Sequence, residues 1–377
     1  MSKLAKSGIL SNFGKHDSKK SNKALSKENS VGNAQQSPTE TQTSKESLSA
    51  DLPGIREKLR SEGISRAASN IILHSWRKNT RKSYSMYIKR WKLYACREDV
   101  HSTSPNLGEA INFLAHLFDC GLSYSAISIA RSALSNFLEI KNCKKFGEHF
   151  RVKQFMKGVF ELRPSLPKYQ ATWDVDIVLH YLESLQPVNT LSLKLLTLKL
   201  VMLLALITGQ RCQTLSFLKL SEMEISDHKC IFYITSLLKQ SRVGKHLLPI
   251  ELLAFKENEN LCIVHIIKEY LKRTEHLRLD EFLLISWRKP FKKVSKDTIA
   301  RWIKEVMAKS GINTTIFKSH STRSASTSAV AKRGAPIKCI LDAAGWSRES
   351  TFAKFYKKET NQNFGRHLLQ AYQNSIK

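Results

Sequence analysis

The stretch LLTLKLVMLLALITGQR, residues 195–211, decides how the chain is read. From Leu195 to Ile207 only Thr197 and Lys199 interrupt an apolar run that is too short to cross a bilayer, which takes about 20 residues. It predicts a helix buried on all sides in a protein core. Gly209 stops that helix, and the chain then delivers Arg211 to the start of the next one, beside an apolar wall. An arginine there is costly unless it is paired or held for an anion.

Working outward, residues 174–185, 259–274, 295–310, 321–333, 336–344 and 348–359 carry helical patterns, and the core helix extends over 191–207. Residues 230–237 and 245–250 are the convincing strands, flanking a polar turn with Gly244. Upstream, Pro164 and Pro167 break the periodicity. Before them, Ile64, Ala67, Ala68, Ile71, Ile72 and Trp76 recur at helical spacing. Asn79 and Thr80 then look like the cap of a helix striped with Tyr84, Tyr87, Trp91 and Tyr94. Two more helices are expected over 106–120 and 123–140. The expected architecture is mainly α with a small β-hairpin or sheet, in two domains. A disordered polar tail covers 1–57, a helical domain 58–163, a linker 164–170, and a second domain 171–377 that ends in a helix.

Charge narrows the partners. Sixty-one Lys and Arg against 32 Asp and Glu leave +29, far more than solubility requires. The first fifty residues hold eight lysines and four acidic residues, so about +25 falls on the part expected to fold. A polyanion is the expected partner, and the row Arg77, Lys78, Arg81, Lys82, Lys89 and Arg90 lies largely off the aromatic stripe, where it can face phosphates. Seven cysteines, scattered and without C-x-x-C, indicate neither a disulfide framework nor a zinc ribbon. Residues 1–27 alternate Lys, Ser and Asn, which is not the pattern of a secretory leader, and no membrane span is expected.

Two further pieces can carry chemistry. His320-Ser321-Thr322-Arg323, with Ser319 as a candidate cap, sets a histidine and an arginine in one first helical turn, where the helix N-terminus also favours a phosphate. Gly345-Trp346-Ser347 is followed by Phe352-Ala353-Lys354-Phe355-Tyr356, a segment that also reads as plain packing. Each piece alone is equally the pattern of a salt bridge or a core contact.

In order, Arg211, Lys239, His320, Arg323, Trp346 and Tyr356 resemble the catalytic set of the tyrosine recombinase (phage integrase) family. Lys239 follows Arg211 by 28 residues, Arg323 follows His320 by three, and Trp346 follows Arg323 by 23. The resemblance covers about 58–377, and the strings SHSTRSASTS and GWSRESTFAKFY are similar to recombinases of eukaryotic DIRS-type and Crypton-type mobile elements. The chain departs from the family at Thr214, where an acidic residue is usual, at Trp346, where many members have histidine, and in the ten-residue step from Trp346 to Tyr356, one longer than common.

The resemblance implies a site-specific recombinase that cuts and rejoins double-stranded DNA without metal or cofactor, working as a tetrameric synapse. It implies Tyr356 as nucleophile, Arg211 and Arg323 as phosphate clamps, Lys239 as general acid with Lys245 as rival, His320 as proton-transfer aid and Trp346 as phosphate donor. Residues 58–163 would then be the DNA-binding domain and 171–377 the catalytic one, and a eukaryotic source would place the protein in the nucleus. The absence of H-E-x-x-H, a Walker loop, a C-x5-R loop and a carboxylate cluster for two magnesium ions agrees with that reading. A recombinase-derived DNA-binding protein without activity and a type IB topoisomerase-like enzyme are the alternatives.

Overall fold

The computed structural model describes residues 52–165, 171–244 and 247–355, and the chain divides into two units, Met1–Pro164 and Ser165–Lys377. In the first unit the helices are α1 (Pro53–Ser61), α2 (Arg66–His74), α3 (Lys78–Arg97), α4 (Leu107–Asp119), α5 (Tyr124–Phe137) and α6 (Phe150–Leu162). Their core gathers Trp91, Phe113, Leu114, Ile127, Leu134, Phe137 and Phe146, all essentially without exposure. The Trp91 ring meets Phe113 edge-on at 5.3 Å, and its indole N–H donates to Ser102 O at 2.6 Å, which makes burial of the polar tip affordable.

Local chemistry starts several of these helices. Asn106 accepts from Glu109 N at 2.9 Å while its own N–H donates to the Glu109 carboxylate at 2.8 Å, a reciprocal capping box on α4. Ser123 caps α5 with a single bond, its side chain accepting from Ala126 N.

Several expectations need correction here. The tail expected to run to residue 57 ends earlier, because Pro53 opens α1 and Leu52 and Ile55 are buried in the first core. Residues 1–51 lie outside the described residues. Ile71 is largely exposed and Ile72 is exposed too, whereas Ser69 and Leu73 are buried, so α2 turns a different face inward than its apolar spacing indicated. The N-cap of α3 is Arg77, without a side-chain cap bond, rather than Asn79 or Thr80. Helix α6 had no counterpart in the sequence reading, since His149 caps it in place of a usual N-cap residue and two of its aromatics, Phe150 and Phe160, are exposed. Residues 166–170 of the expected linker lie outside the described residues.

The second unit forms around α8 (Leu193–Thr208), the helix of the quoted stretch. Nearly every side chain from Leu196 to Leu206 is buried, as a helix apolar all round requires. It is enclosed by α10 (Ile263–Thr274), α11 (Lys296–Lys309) and α12 (Ser321–Lys332). Around these lie α7 (Val175–Ser184), α9 (Cys212–Leu215), α13 (Ile337–Ala344) and α14 (Glu349–Phe355). Among the described residues no helix is long and apolar enough to cross a membrane.

The sheet also differs from expectation. Strands β1 (Met223–Ile225), β2 (Lys229–Phe232) and β3 (Ile250–Leu253) pair antiparallel in that order, with Ile225 opposite Cys230 and Phe232 opposite Ile250. The expected first strand stops at Phe232, where its pairing with Met223 on one side and Ile250 on the other ends. The expected second strand starts only at Ile250. Between them the chain turns at Leu238–Ser241, closed by Leu238 N donating to Ser241 Oγ at 2.9 Å and Ser241 N donating to Leu238 O at 3.0 Å. Lys245 and His246 lie outside the described residues.

Lys199 is fully buried on α8, with its Nζ donating to Leu185 O at 2.6 Å. Burial lowers its ammonium pKa from 10.5 to about 8, against the opposing charge of Glu183. Above about pH 8 the unfolded chain keeps a proton that the folded chain loses, so this group makes stability rise with pH by at most about 1.4 kcal/mol per unit. The Cys230 thiol, pushed up to about 12 by burial, acts the other way above pH 9. Chemical denaturation should therefore show wild-type stability rising relative to Lys199→Met between pH 8 and 9. A difference that stays constant over that interval would mean that Lys199 does not titrate there.

Candidate active site

Gly209 ends α8 in the left-handed conformation at φ +56°, and Arg211 follows as the extended N-cap of α9. Helix α12 packs on the same end of α8, and the Ser326 hydroxyl donates to Leu206 O. That close approach depends on small side chains, since Ser321, Thr322, Ser324, Ala325, Ser326, Thr327 and Ser328 are all buried on α12. Polar atoms on this face find local partners, as when Thr327 Oγ1 donates to Arg323 O at 2.7 Å. The start of α12 is pinned by the Trp173 indole, which donates to Ser321 Oγ at 2.9 Å.

Arg323 lies in the first turn of α12 and is only 2% exposed. Its Nη2 donates to Ala344 O at 3.1 Å, and its guanidinium carbon sits 5.1 Å from the Trp346 ring centroid. Trp346 is itself buried, stacked on Phe352 at 5.9 Å, and reached through Gly345, which ends α13 at φ +64°. The positive charge of Arg323 is felt as far as Cys212, next to Arg211. Burial pushes the Cys212 thiol up, while its backbone hydrogen bond and then Arg323 pull it down.

Between these elements lies a cavity of about 450 Å³, lined by Gln210, Arg211, Lys239, Gln240, Arg242 and Trp346 among others. Lys239 comes from the turn after β2 and is exposed. The fold thus brings Arg211, Lys239 and Trp346 around one space, with Arg323 buried against the tryptophan. His320 is the exposed N-cap of α12, makes no side-chain cap bond, and does not line the cavity. It occupies the cap position expected for Ser319. Tyr356 and the rival Lys245 lie outside the described residues.

Thr214, where a carboxylate would be usual, is buried and also lines the cavity. Sequence reasoning missed Gln210, Gln240, Arg242 and Asp342, which share the cavity wall. Gln210 and Gln240 had a signal in their places beside Arg211 and Lys239. Among the described residues no group of three His, Cys, Asp or Glu side chains is arranged to hold a metal ion.

In the first unit, Arg77, Lys78, Lys82, Lys89 and Arg90 are exposed and Arg81 is half-buried along α3. The Arg90 guanidinium lies 5.8 Å from the Tyr87 ring centroid, so the aromatic stripe supports part of the basic row from beneath. Beside this row α3 and α5 form a groove of about 330 Å³ lined by Asn79, Thr80, Ser83, Tyr84, Ser128 and Ser132. The α5 side of the groove was not singled out from sequence, because isolated serines carry no periodic signal.

A helical enclosure of one apolar helix, with arginines from two of its neighbours and a lysine from a turn beside a small sheet, gives the second unit a basic cavity. Residues 179–363, most of the second unit, match the phage integrase family. Among solved structures, the Tn1549 transposon integrase in complex with transposon right end DNA is similar over 85% of this chain and 98% of that one, at 13% identity and a TM-score of 0.54. XerH recombinase in a post-cleavage complex with palindromic difH substrate is similar over 83% of this chain and 82% of that one, at 14% identity and a TM-score of 0.51. These likenesses are of fold. No curated protein matches the chain in sequence.

Proposed function

We propose that this protein is a site-specific DNA recombinase that works through a covalent 3′-phosphotyrosine on Tyr356. The observation that carries the reading is the convergence of Arg211, Lys239 and Trp346 on one cavity with Arg323 buried against the tryptophan. That set supplies what phosphodiester cleavage needs from a protein. Forked guanidinium groups neutralise charge growing on the non-bridging oxygens. The Tyr356 oxygen bonds to phosphorus as the bond to the 5′-oxygen breaks, and the Lys239 ammonium gives that oxygen its proton. The tyrosine, with an ordinary pKa of about 10, loses its own proton as it attacks, with His320 as the assisting base. The Trp346 indole N–H is a donor for a phosphate oxygen. Energy of the broken bond is kept in the phosphotyrosine, so rejoining needs no cofactor.

The substrate is duplex DNA, gripped by the α3 row and the groove beside it, and the working form is a tetramer that joins two duplexes. The DIRS- and Crypton-like strings imply a eukaryotic mobile element and a nuclear site of action, which a fluorescent fusion of the full chain checks. The buried Thr214 favours a second reading, a DNA-binding protein derived from a recombinase, because the usual carboxylate is missing there.

One selection separates the two readings. Nicked duplexes with a randomised centre are incubated with the full chain, and adducts that survive detergent are recovered and sequenced. The expected result is an enriched core sequence covalently joined to the protein. Enrichment of duplexes that bind but never become covalent would support the DNA-binding reading instead. In either case phosphate contacts should dominate affinity. With six to ten phosphates neutralised, binding should weaken roughly 10³- to 10⁵-fold between about 50 and 200 mM salt. A flat salt titration would show that the excess charge is not the grip.

A further inference from the structure

Two glutamines stand directly beside residues of the proposed catalytic set. Gln210 precedes Arg211, and its Nε2 donates to Ala343 O in the last turn of α13 at 2.6 Å. Gln240 follows Lys239, and its Nε2 donates to Gln210 Oε1 at 3.4 Å. The Gln240 amide also packs closely against Gly345. A methyl group on that glycine would fall 2.2 Å from Gln240 Oε1 and 2.8 Å from its Cδ and Nε2. Three segments distant in sequence, the α8–α9 junction, the Lys239 turn and the end of α13, therefore meet on a pair of neutral amides.

The turn has one firm anchor in the core, Leu238, which is 2% exposed. Lys239 points its long flexible stem from the next position, and a lysine carries much rotamer freedom that a catalytic role must remove. Gln240 then closes the other side of the turn against α13. Its bond to Gln210 is long, so the hold is weak enough to be made and released without unfolding anything else.

We propose that Gln240 is a positioning residue for Lys239. Wedged between Gln210 and Gly345, it keeps the turn seated so that the lysine faces the cavity. It also makes that seating depend on the end of α13, from which Trp346 and the chain toward Tyr356 depart. A shift of the α13 end therefore unseats the lysine. The proposal rests on the reading of Lys239 as general acid.

The test uses the full chain and a duplex recovered from the selection above, made with either the ordinary 5′-oxygen or a bridging 5′-sulfur at the scissile phosphate. A thiolate leaves without needing a proton, since thiols have a pKa near 8.5, so loss of a general acid is rescued by sulfur. Gln240→Ala should cut the ordinary duplex on the order of 10²-fold more slowly, the loss typical of a displacement of about 1 Å. On the sulfur duplex it should return to the wild-type rate, as Lys239→Ala does, while Arg211→Ala stays slow on both. A normal rate on the ordinary duplex, or a defect that sulfur does not rescue, overturns the proposal.

Hydrogen exchange gives an arm that is independent of catalysis. In Gln240→Ala the amides of Leu238 and Ser241 should exchange faster while the melting temperature is unchanged, and unaltered exchange overturns the proposal. If wild-type protein forms no covalent product, the catalytic reading fails, and the exchange arm still decides whether Gln240 seats the turn.

Discussion

Tyr356→Phe is expected to abolish covalent protein–DNA product while leaving duplex affinity and melting temperature unchanged. The substitution keeps the ring and deletes the one oxygen that can attack phosphorus. Without a nucleophile there is no alternative path through the same arginines, because they stabilise a transition state they cannot initiate. The loss should therefore reach the detection limit of a detergent-resistant adduct assay. The ten-residue step from Trp346 makes the measurement informative. One extra residue in a helix turns a side chain by about 100°. Mass spectrometry of the DNA-linked peptide gives the position directly, and a phosphopeptide centred on Tyr372 would transfer the nucleophile's role to that residue.

Arg323→Ala is expected to slow cleavage by about 10²- to 10³-fold, the usual consequence of removing one preorganised donor. Arg323 also has a structural task. It is buried, donates to Ala344 O and lies against the Trp346 ring, so its loss removes that donor and leaves a void beside the tryptophan. Stability should fall by about 1–3 kcal/mol as well. Arg211→Ala, at a half-buried N-cap, should lose a similar factor in rate with a smaller loss of stability. Arg323→Lys separates the two tasks. It retains a charge but not the planar fork that can hold two phosphate oxygens at once, so stability should recover further than rate. Single-turnover cleavage and thermal melting measured on the same preparations check these outcomes. Cleavage at the wild-type rate by either alanine variant would remove that arginine from the site.

The elements that were legible in sequence are those whose evidence is local. An apolar run broken only at Thr197 and Lys199 can only be a core helix, and it became α8 with nearly every side chain buried. Gly209 marks the end of that helix because it sits at positive φ where the chain turns. The order Arg211, Lys239, His320, Arg323, Trp346 and Tyr356 needed no structure to be seen, and it leads to the family that residues 179–363 match. Sheet boundaries were less legible. A strand ends where its partner does, and the partner of Phe232, Ile250, is supplied from across a long connection.

By itself, then, the sequence determined a mainly helical basic protein, the recombinase family of its second unit and the residues that fill that family's pattern, since composition, periodicity and spacing are written along the chain. Only the tertiary structure decided that Arg211, Lys239 and Trp346 face one cavity, that Arg323 lies beneath the tryptophan, that His320 stays exposed outside that wall, and that Gln210 and Gln240 join the pieces. Gln210 and Ala343 are 133 residues apart, and nothing in either neighbourhood records the other. Their meeting follows from how α12 packs on α8 and α13 packs on α12. That is a property of side-chain volume and closeness in space, to which one-dimensional periodicity is blind.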